Sequence, residues 1–356
     1  VDPGSAAGRL SGGDGLSALE RLAAHSADGF PHLLAARRHT EQELGRLRAR
    51  FAEGGLTGGP TARLGQDEGV GARSDVAVVL FGSWGRRELT AHSDDDWLLL
   101  VEGDGEAEAE LAAVRAVLGG GGRQPGVQAT FGVASSSHGL VEHIGLQDDN
   151  NRNLTRRMLL MLESVPVVGD DVHRRCWLAV LDRYLAETRT DRRPPRFFLN
   201  DVIRYWRTIA VDFAGKHRED ETKWGLRNAK LRTSRKVLFA GGLVPILRCH
   251  ELRRDEVRPF LCEQLALPAT DRVAGAFLAA GLLDAGVRCL GAYDRWTGMV
   301  ADAAVREELA GLDRATAMSS ATFVEVRRLA AELQNGLLAL LFETSLAPAV
   351  REYAIF

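Results

Sequence analysis

The stretch "VVLFGSWGRRELTAHSDDDWLLLV", from Val78 to Val101, decides the fold. Its ends belong to two apolar runs, "VAVVLF" (76–81) and "DWLLLV" (96–101). Short unbroken runs of β-branched and aliphatic residues predict strands buried on both faces. Between the runs stand Gly82 and Ser83, a polar span of ten residues from Trp84 to Ser93, and three consecutive aspartates. A solvated turn capping one strand would not account for apolar runs on both sides. The segment therefore reads as strand, Gly-Ser turn, connection, and Asp-x-Asp entering a second strand.

Each part has a physical job. Residues i and i+2 of a strand share a face, so Asp94 and Asp96 are expected to project together while Asp95 points elsewhere. Two adjacent carboxylates repel unless a cation lies between them. The pair suits Mg²⁺, with Mn²⁺ as the alternative, because such ions take hard oxygen ligands and share them with substrate phosphates. Glycine at position 82 would let the backbone approach a phosphate, and a helix expected to start there would offer unpaired N–H groups. The Ser83 hydroxyl adds a donor. Arg86 and Arg87, one turn on, either supplement this grip or face solvent. Trp84 and Trp97 flank the pair, where either can border a nucleotide, with burial under the sheet the default for Trp97.

This order of strand, Gly-Ser turn, helix and Asp-x-Asp strand resembles the DNA polymerase β-like nucleotidyltransferase superfamily. Within it, "GSWGRRELTAHSDDD" is similar to a segment of the uridylyltransferases of PII nitrogen signalling and their relatives. Those proteins carry Gly-Gly/Ser, an aromatic residue, Gly-Arg-Gly-Glu-Leu and Ser-Asp-x-Asp at the same spacing, so Arg87 departs from the run. "LTRRMLLMLESVPVVGDD" (154–171) is similar to the helix and Gly-Asp ending that follows their catalytic sheet. "KWGLRNAK" (223–230) resembles their Gly-Gly-Leu-Arg-Asp segment, with Trp224 and Asn228 as departures. If that segment is helical, Lys223, Arg227 and Lys230 share one face and could receive a triphosphate or an acidic acceptor. The resemblance implies transfer of a nucleoside monophosphate from an NTP, ATP among the candidates, to an acceptor.

One part of the pattern is missing. Active members of the superfamily add a third carboxylate from a neighbouring strand, which helps hold the metal and can take the acceptor's proton. The candidate strand here, "GVQATFGV" (126–133), offers only Gln128 and Thr130. The nearest acids, Glu142, Asp148 and Asp149, lie beyond it. Glu163 is read as a surface or capping residue in preference to a metal ligand. The nine histidines include no His-Asp dipeptide, so the phosphohydrolase activity that accompanies those uridylyltransferases is not expected.

Outward from this core, residues 1–15 are rich in Gly, Ser and Ala and read as a mobile tail. Residues 16–60 read as an N-terminal helical arm, with Gly and Pro collecting over 53–75 in a linker. Residues 61–190 form the expected catalytic domain and 191–356 an all-helical C-terminal domain. Helices are predicted over 105–118, 153–165, 171–188 and 200–217, with Asn200 or Asp201 capping the last. In that helix Trp206 reads as core, beside Arg204 and Arg207. The fold class is thus α/β in the α+β sense: a nucleotidyltransferase core with a small mixed sheet, a helical arm and a helical domain. The amphipathic C-terminal segment, with Phe342 and Phe356, suggests docking on the helical domain or on a second copy in a homodimer.

Composition bounds the partners. Hydrophobic residues make up 45% and charged residues 26%, which is ordinary for a folded globular chain. A net charge of −3 supplies no basic field for polyanions, which weighs against RNA as acceptor. Cys176, Cys249, Cys262 and Cys289 show no metal spacing and read as reduced core thiols. With no long apolar run and no basic-then-apolar start, no membrane association is expected and the cytoplasm is the expected compartment. The leading expectation is an Mg²⁺-dependent nucleotidyltransferase acting on a small-molecule or protein acceptor. The alternatives are a catalytically weak or inactive nucleotide-binding regulatory protein, and an RNA-directed transferase.

Overall fold

A computed structural model describes residues 15–54, 75–104, 107–119, 130–188, 190–219 and 223–354. Residues 1–14 of the expected tail, most of the linker, Gln128 and Phe356 lie outside the described residues. The chain packs as two compact units: residues 36–187 form one, and residues 1–35 with 188–356 form the other.

The first unit is built on a four-stranded mixed sheet in the order β3-β2-β1-β4. Strand β1 (Val76–Leu80) runs antiparallel to β2 (Trp97–Val101), in a register from Val76 opposite Val101 to Leu80 opposite Trp97. Every residue of both strands is buried, as their unbroken apolar runs require. One face carries Val76, Val78, Leu80, Trp97, Leu99 and Val101. It packs with Leu44, Leu47 and Phe51 of α2 (Pro31–Glu53) and with Leu111, Val114 and Leu118 of α3 (Glu108–Gly119). Strand β3 (Val133–Ser136) lies parallel to β2, the usual outcome when a helix such as α3 makes the crossover.

Two sequence expectations need correction here. Of the strand expected over 126–133 only residues 130–133 are described: Thr130 lies in a turn, and β3 starts at Val133. A fourth strand, β4 (Val165–Val168), runs antiparallel to β1 where the sequence reads as the end of a helix. It tolerates Pro166 because it is an edge strand, where a missing N–H need not break the ladder. Helices α4 (Ser137–Glu142), α5 (Asn151–Glu163) and α6 (Asp170–Leu185) complete the unit, and α6 packs on β1.

The second unit is helical: α1 (Ala18–Ala23), α7 (Arg196–Glu219), α8 (Trp224–Arg232), α9 (Ser234–Arg248), α10 (Arg254–Ala266), α11 (Ala269–Ala279), α12 (Leu283–Ala301), α13 (Ala303–Gly311), α14 (Ala321–Phe342) and α15 (Leu346–Ala349). Helix α7 starts directly after Pro194 and Pro195, and its first bond runs from Leu199 N to Pro195 O at 2.9 Å. Asn200 and Asp201 therefore lie inside the helix and do not cap it. Trp206 stacks on Phe239 with ring centroids 5.2 Å apart, a packing role. Two buried aspartates hold the N-terminal residues from far along the chain. Asp271 accepts from Leu19 N at 2.9 Å and Asp294 from Leu33 N at 2.8 Å, each satisfying an amide of a helix's first turn. Burial pushes the Asp294 carboxyl above its usual range, and the Leu33 and His32 backbone N–H groups oppose the shift. All four cysteines are free thiols; Cys176, Cys249 and Cys289 are buried. Among the described residues no helix is long and apolar enough to cross a membrane.

Candidate metal and phosphate site

Strand β1 hands over to the Gly-Ser turn with one further ladder bond, Phe81 N to Asp96 O at 2.8 Å. Gly82 then turns left-handed, with φ of +64°. A Cβ at that position would lie 3.1 Å from Asp96 Oδ2, so the carboxylate rests directly over the glycine. Glycine is required twice here, for the backbone sign and for the close approach. The three aspartates alternate in exposure: Asp94 is exposed, Asp95 is 6% exposed and Asp96 is intermediate. Asp95 accepts from Trp84 Nε1 at 3.0 Å, which removes that carboxylate from any ligand site. Both Trp84 and Trp97 are buried, at 3% and 2% exposure, so neither borders a nucleotide.

The helix expected after Ser83 does not form. Residues 82–87 instead make successive turns, with Trp84 N bonded to Phe81 O, Arg86 N to Gly82 O, Arg87 N to Trp84 O and Glu88 N to Ser83 O. The cause is local. Arg87 also takes a left-handed φ, of +61°, which breaks the right-handed path after four residues. Gly85 packs so tightly on the end of α5 that a Cβ there would overlap the Glu163 carbonyl group. Ser83 is half-buried in this turn, and its amide N–H meets no acceptor among the described residues.

Arg86 has a different task from the one expected. Its side chain is 10% exposed, its Nε donates to Glu88 Oε2 at 2.9 Å, and its Nη1 bonds Glu163 Oε2. Glu163 is fully buried in this cluster, so the surface reading is wrong. The ion pair fastens the Gly-Ser turn to the junction of α5 and β4. Arg87 donates to Trp84 O at 3.1 Å and pairs with Glu41 at 2.6 Å. Burial holds its guanidinium below the usual range, partly offset by Glu41.

Strand β3 carries no acid, as the sequence shows; Ser135 is buried and Ser136 bonds the Gly103 carbonyl oxygen at 2.6 Å. Beyond it, Glu142 and Asp148 are exposed. Asp149 is buried and locked to Arg157 by two bonds of 3.0 and 2.6 Å. Among the described residues no group of three or more His, Cys, Asp or Glu is placed to hold a metal ion. The two remaining acids of the Asp-x-Asp segment are Asp94 and Asp96. Two hard oxygen ligands fit an Mg²⁺ ion that shares phosphate oxygens, and are too few for a cage built from protein alone.

Lys223 and Arg227 belong to the helical unit. Lys223 is the exposed N-cap of α8, at φ of +60°, and Arg227 is half-buried on the same face. Nothing in the sequence marks the Arg86–Glu163 pair, because the partners lie 77 positions apart and only β4 pairing brings them together. No protein-family model and no curated protein matches the chain.

Proposed function

We propose that the chain is a nucleotidyltransferase of the kind its central segment resembles, transferring a nucleoside monophosphate from an NTP to a hydroxyl on a small molecule or protein. The observation that carries this reading is the Asp96 carboxylate lying over a left-handed Gly82, next to the exposed Asp94. The Asp96 oxygens and the Gly82 backbone meet at one point, and a hard cation held there by Asp96 and Asp94 would be shared with a phosphate.

Asp94 and Asp96 would hold the metal, with the Asp96 carboxylate seated in the space that Gly82 leaves beside the backbone. The Ser83 amide and hydroxyl supply donors to a phosphate oxygen. Arg86 is committed to Glu88 and Glu163, so its part is to brace the turn and not to touch phosphate. Mg²⁺, when bound, supplies charge neutralisation on the phosphates as the acceptor oxygen bonds to the α-phosphorus and pyrophosphate departs. The chain's own contribution is positioning and fixed charge. Lys223 and Arg227 are proposed as triphosphate ligands on the resemblance alone.

One observation favours a second reading, in which the nucleotide binds without turnover: β3 offers no third acid. The test is incubation of the protein with each α-labelled NTP, Mg²⁺ and candidate acceptors, following pyrophosphate. Wild type should release pyrophosphate with one NTP, and Asp94→Asn/Asp96→Asn should slow release by about 100-fold or more. Equal release from the double variant sinks the proposed site. Metal-dependent NTP binding with no release selects the second reading.

A further inference from the structure

The helical unit contains a pocket of about 630 Å³, a volume suited to a small organic ligand. Helix α8 lines it with Trp224, Asn228 and Arg232, four residues apart along one stripe, and α14 adds Phe323 and Arg327 in the same spacing. Arg314, after α13, completes the cationic side. One wall is aromatic. Trp224 is packed between Phe213 and Phe323, with ring centroids 6.3 and 5.5 Å away at tilts of 49° and 45°, so its indole is held by neighbours on two sides.

The other wall is positively charged, and among the described residues no carboxylate-bearing side chain lines the pocket. Among the described residues none of the three arginines forms an ion pair. Arg232 Nε donates to Asn228 Oδ1 at 2.7 Å, and Arg327 Nη1 contacts Met318 Sδ at 2.8 Å. The contrast with adjacent arginines is sharp. Arg328, the next residue on α14, bonds both Glu325 and Glu332, and Arg295 of α12 bonds Glu332 at 2.8 Å. Burial and the charge of Arg327 hold the Arg232 guanidinium below its ordinary range. Lys236, one turn further, is lowered by burial and by Arg232. Arg232 is half-buried and Arg314 and Arg327 are exposed at the rim, so three like charges face one concave space whose charge an anion would neutralise.

We propose that this pocket binds a small phosphomonoester with a flat aromatic body, its phosphate among Arg232, Arg314 and Arg327 and its body against Trp224 and Phe323. A phosphomonoester concentrates nearly two negative charges and three acceptor oxygens in one group, which several guanidinium forks can share. A carboxylate brings one charge and two oxygens. The aromatic wall accounts for the rest of the volume by stacking and edge contacts. The site lies wholly within the helical unit and does not depend on the nucleotidyltransferase reading.

The test uses the full chain and phenyl phosphate, followed by calorimetric titration and thermal unfolding. Wild type should bind phenyl phosphate and unfold at higher temperature in its presence. Inorganic phosphate and benzoate should each bind at least about tenfold more weakly. Arg327→Gln and Arg232→Gln should each lose about tenfold or more in affinity. Without ligand, Arg327→Gln should unfold at the same temperature as wild type or higher, because it removes a like-charge repulsion; this separates lost binding from lost folding. Absence of phenyl phosphate binding at millimolar concentration overturns the proposal, as does unchanged affinity in Arg327→Gln. Benzoate binding as tightly as phenyl phosphate overturns the phosphate assignment.

Discussion

Arg87 takes φ of +61°, a conformation that costs a non-glycine residue roughly 1–2 kcal/mol. It is also the position where the segment departs from the glycine of the uridylyltransferases it resembles. The side chain answers with bonds to Trp84 O and Glu41. Arg87→Gly and Arg87→Ala both lose those bonds, so their difference isolates the backbone. Urea unfolding should find the glycine variant more stable than the alanine variant by about 1 kcal/mol; equal stabilities would place Arg87 outside the left-handed region. Two glycines give the opposite pair. Gly85→Ala drives a methyl group into the Glu163 carbonyl and should cost about 3 kcal/mol or more, or prevent folding. Gly45 lies exposed within α2 with nothing within 4 Å of an added Cβ. Gly45→Ala should therefore stabilise by roughly 0.5–1 kcal/mol. Of these backbone demands only that at Gly82 could be anticipated, because a Gly-Ser pair at a strand end advertises a turn. Gly85 and Arg87 owe their constraint to α5 and to turn geometry that no pattern encodes.

At the scale of elements, long periodic or unbroken apolar segments were readable and short ones were not. Strands β1 and β2 fall within one residue of their apolar runs, and α3, α5 and α6 follow their amphipathic spacing. Strand β4 escaped because "VPVV" is four residues long, contains proline and continues directly from α5. Its start is held by Ser164, whose hydroxyl donates to Leu160 O at 2.6 Å and meets His173 Nε2 of α6 at 2.8 Å. Burial pushes the His173 imidazole down to about 4. The unfolded chain takes up that proton near pH 6.5, so between about 6.5 and about 4 the unfolded state binds more protons than the folded one. This contribution is fully present above pH 6.5 and is lost as pH falls toward 4. Thermal unfolding measured from pH 7 to 4.5 should show a falling midpoint in wild type and a shallower fall in His173→Gln. Parallel slopes would show that His173 is solvated in the folded protein.

For the whole molecule, the division into two units is a matter of cores. Residues 36–187 close their own apolar core between the sheet, α2 and α3. A fragment spanning 36–187 should therefore unfold cooperatively by calorimetry, whereas a featureless melt would show that this core does not fold alone. The same fragment lacks the arginine pocket and should not bind phenyl phosphate. Local pattern was enough for the mixed α and β class, the two central strands and the helical second half, and it marked the Asp-x-Asp that follows a Gly-Ser turn. These follow from local periodicity and from residue types with few alternative uses. Packing in three dimensions bonded Asp95 to Trp84, bound Arg86 to Glu163, and tied the Leu19 and Leu33 amides to Asp271 and Asp294. It also gathered Arg232, Arg314 and Arg327 around Trp224 and Asn228, the two departures in "KWGLRNAK". Each of these is a pairing of charged or polar groups brought together by packing. Such groups have many energetically similar partners along a chain, and burial selects one.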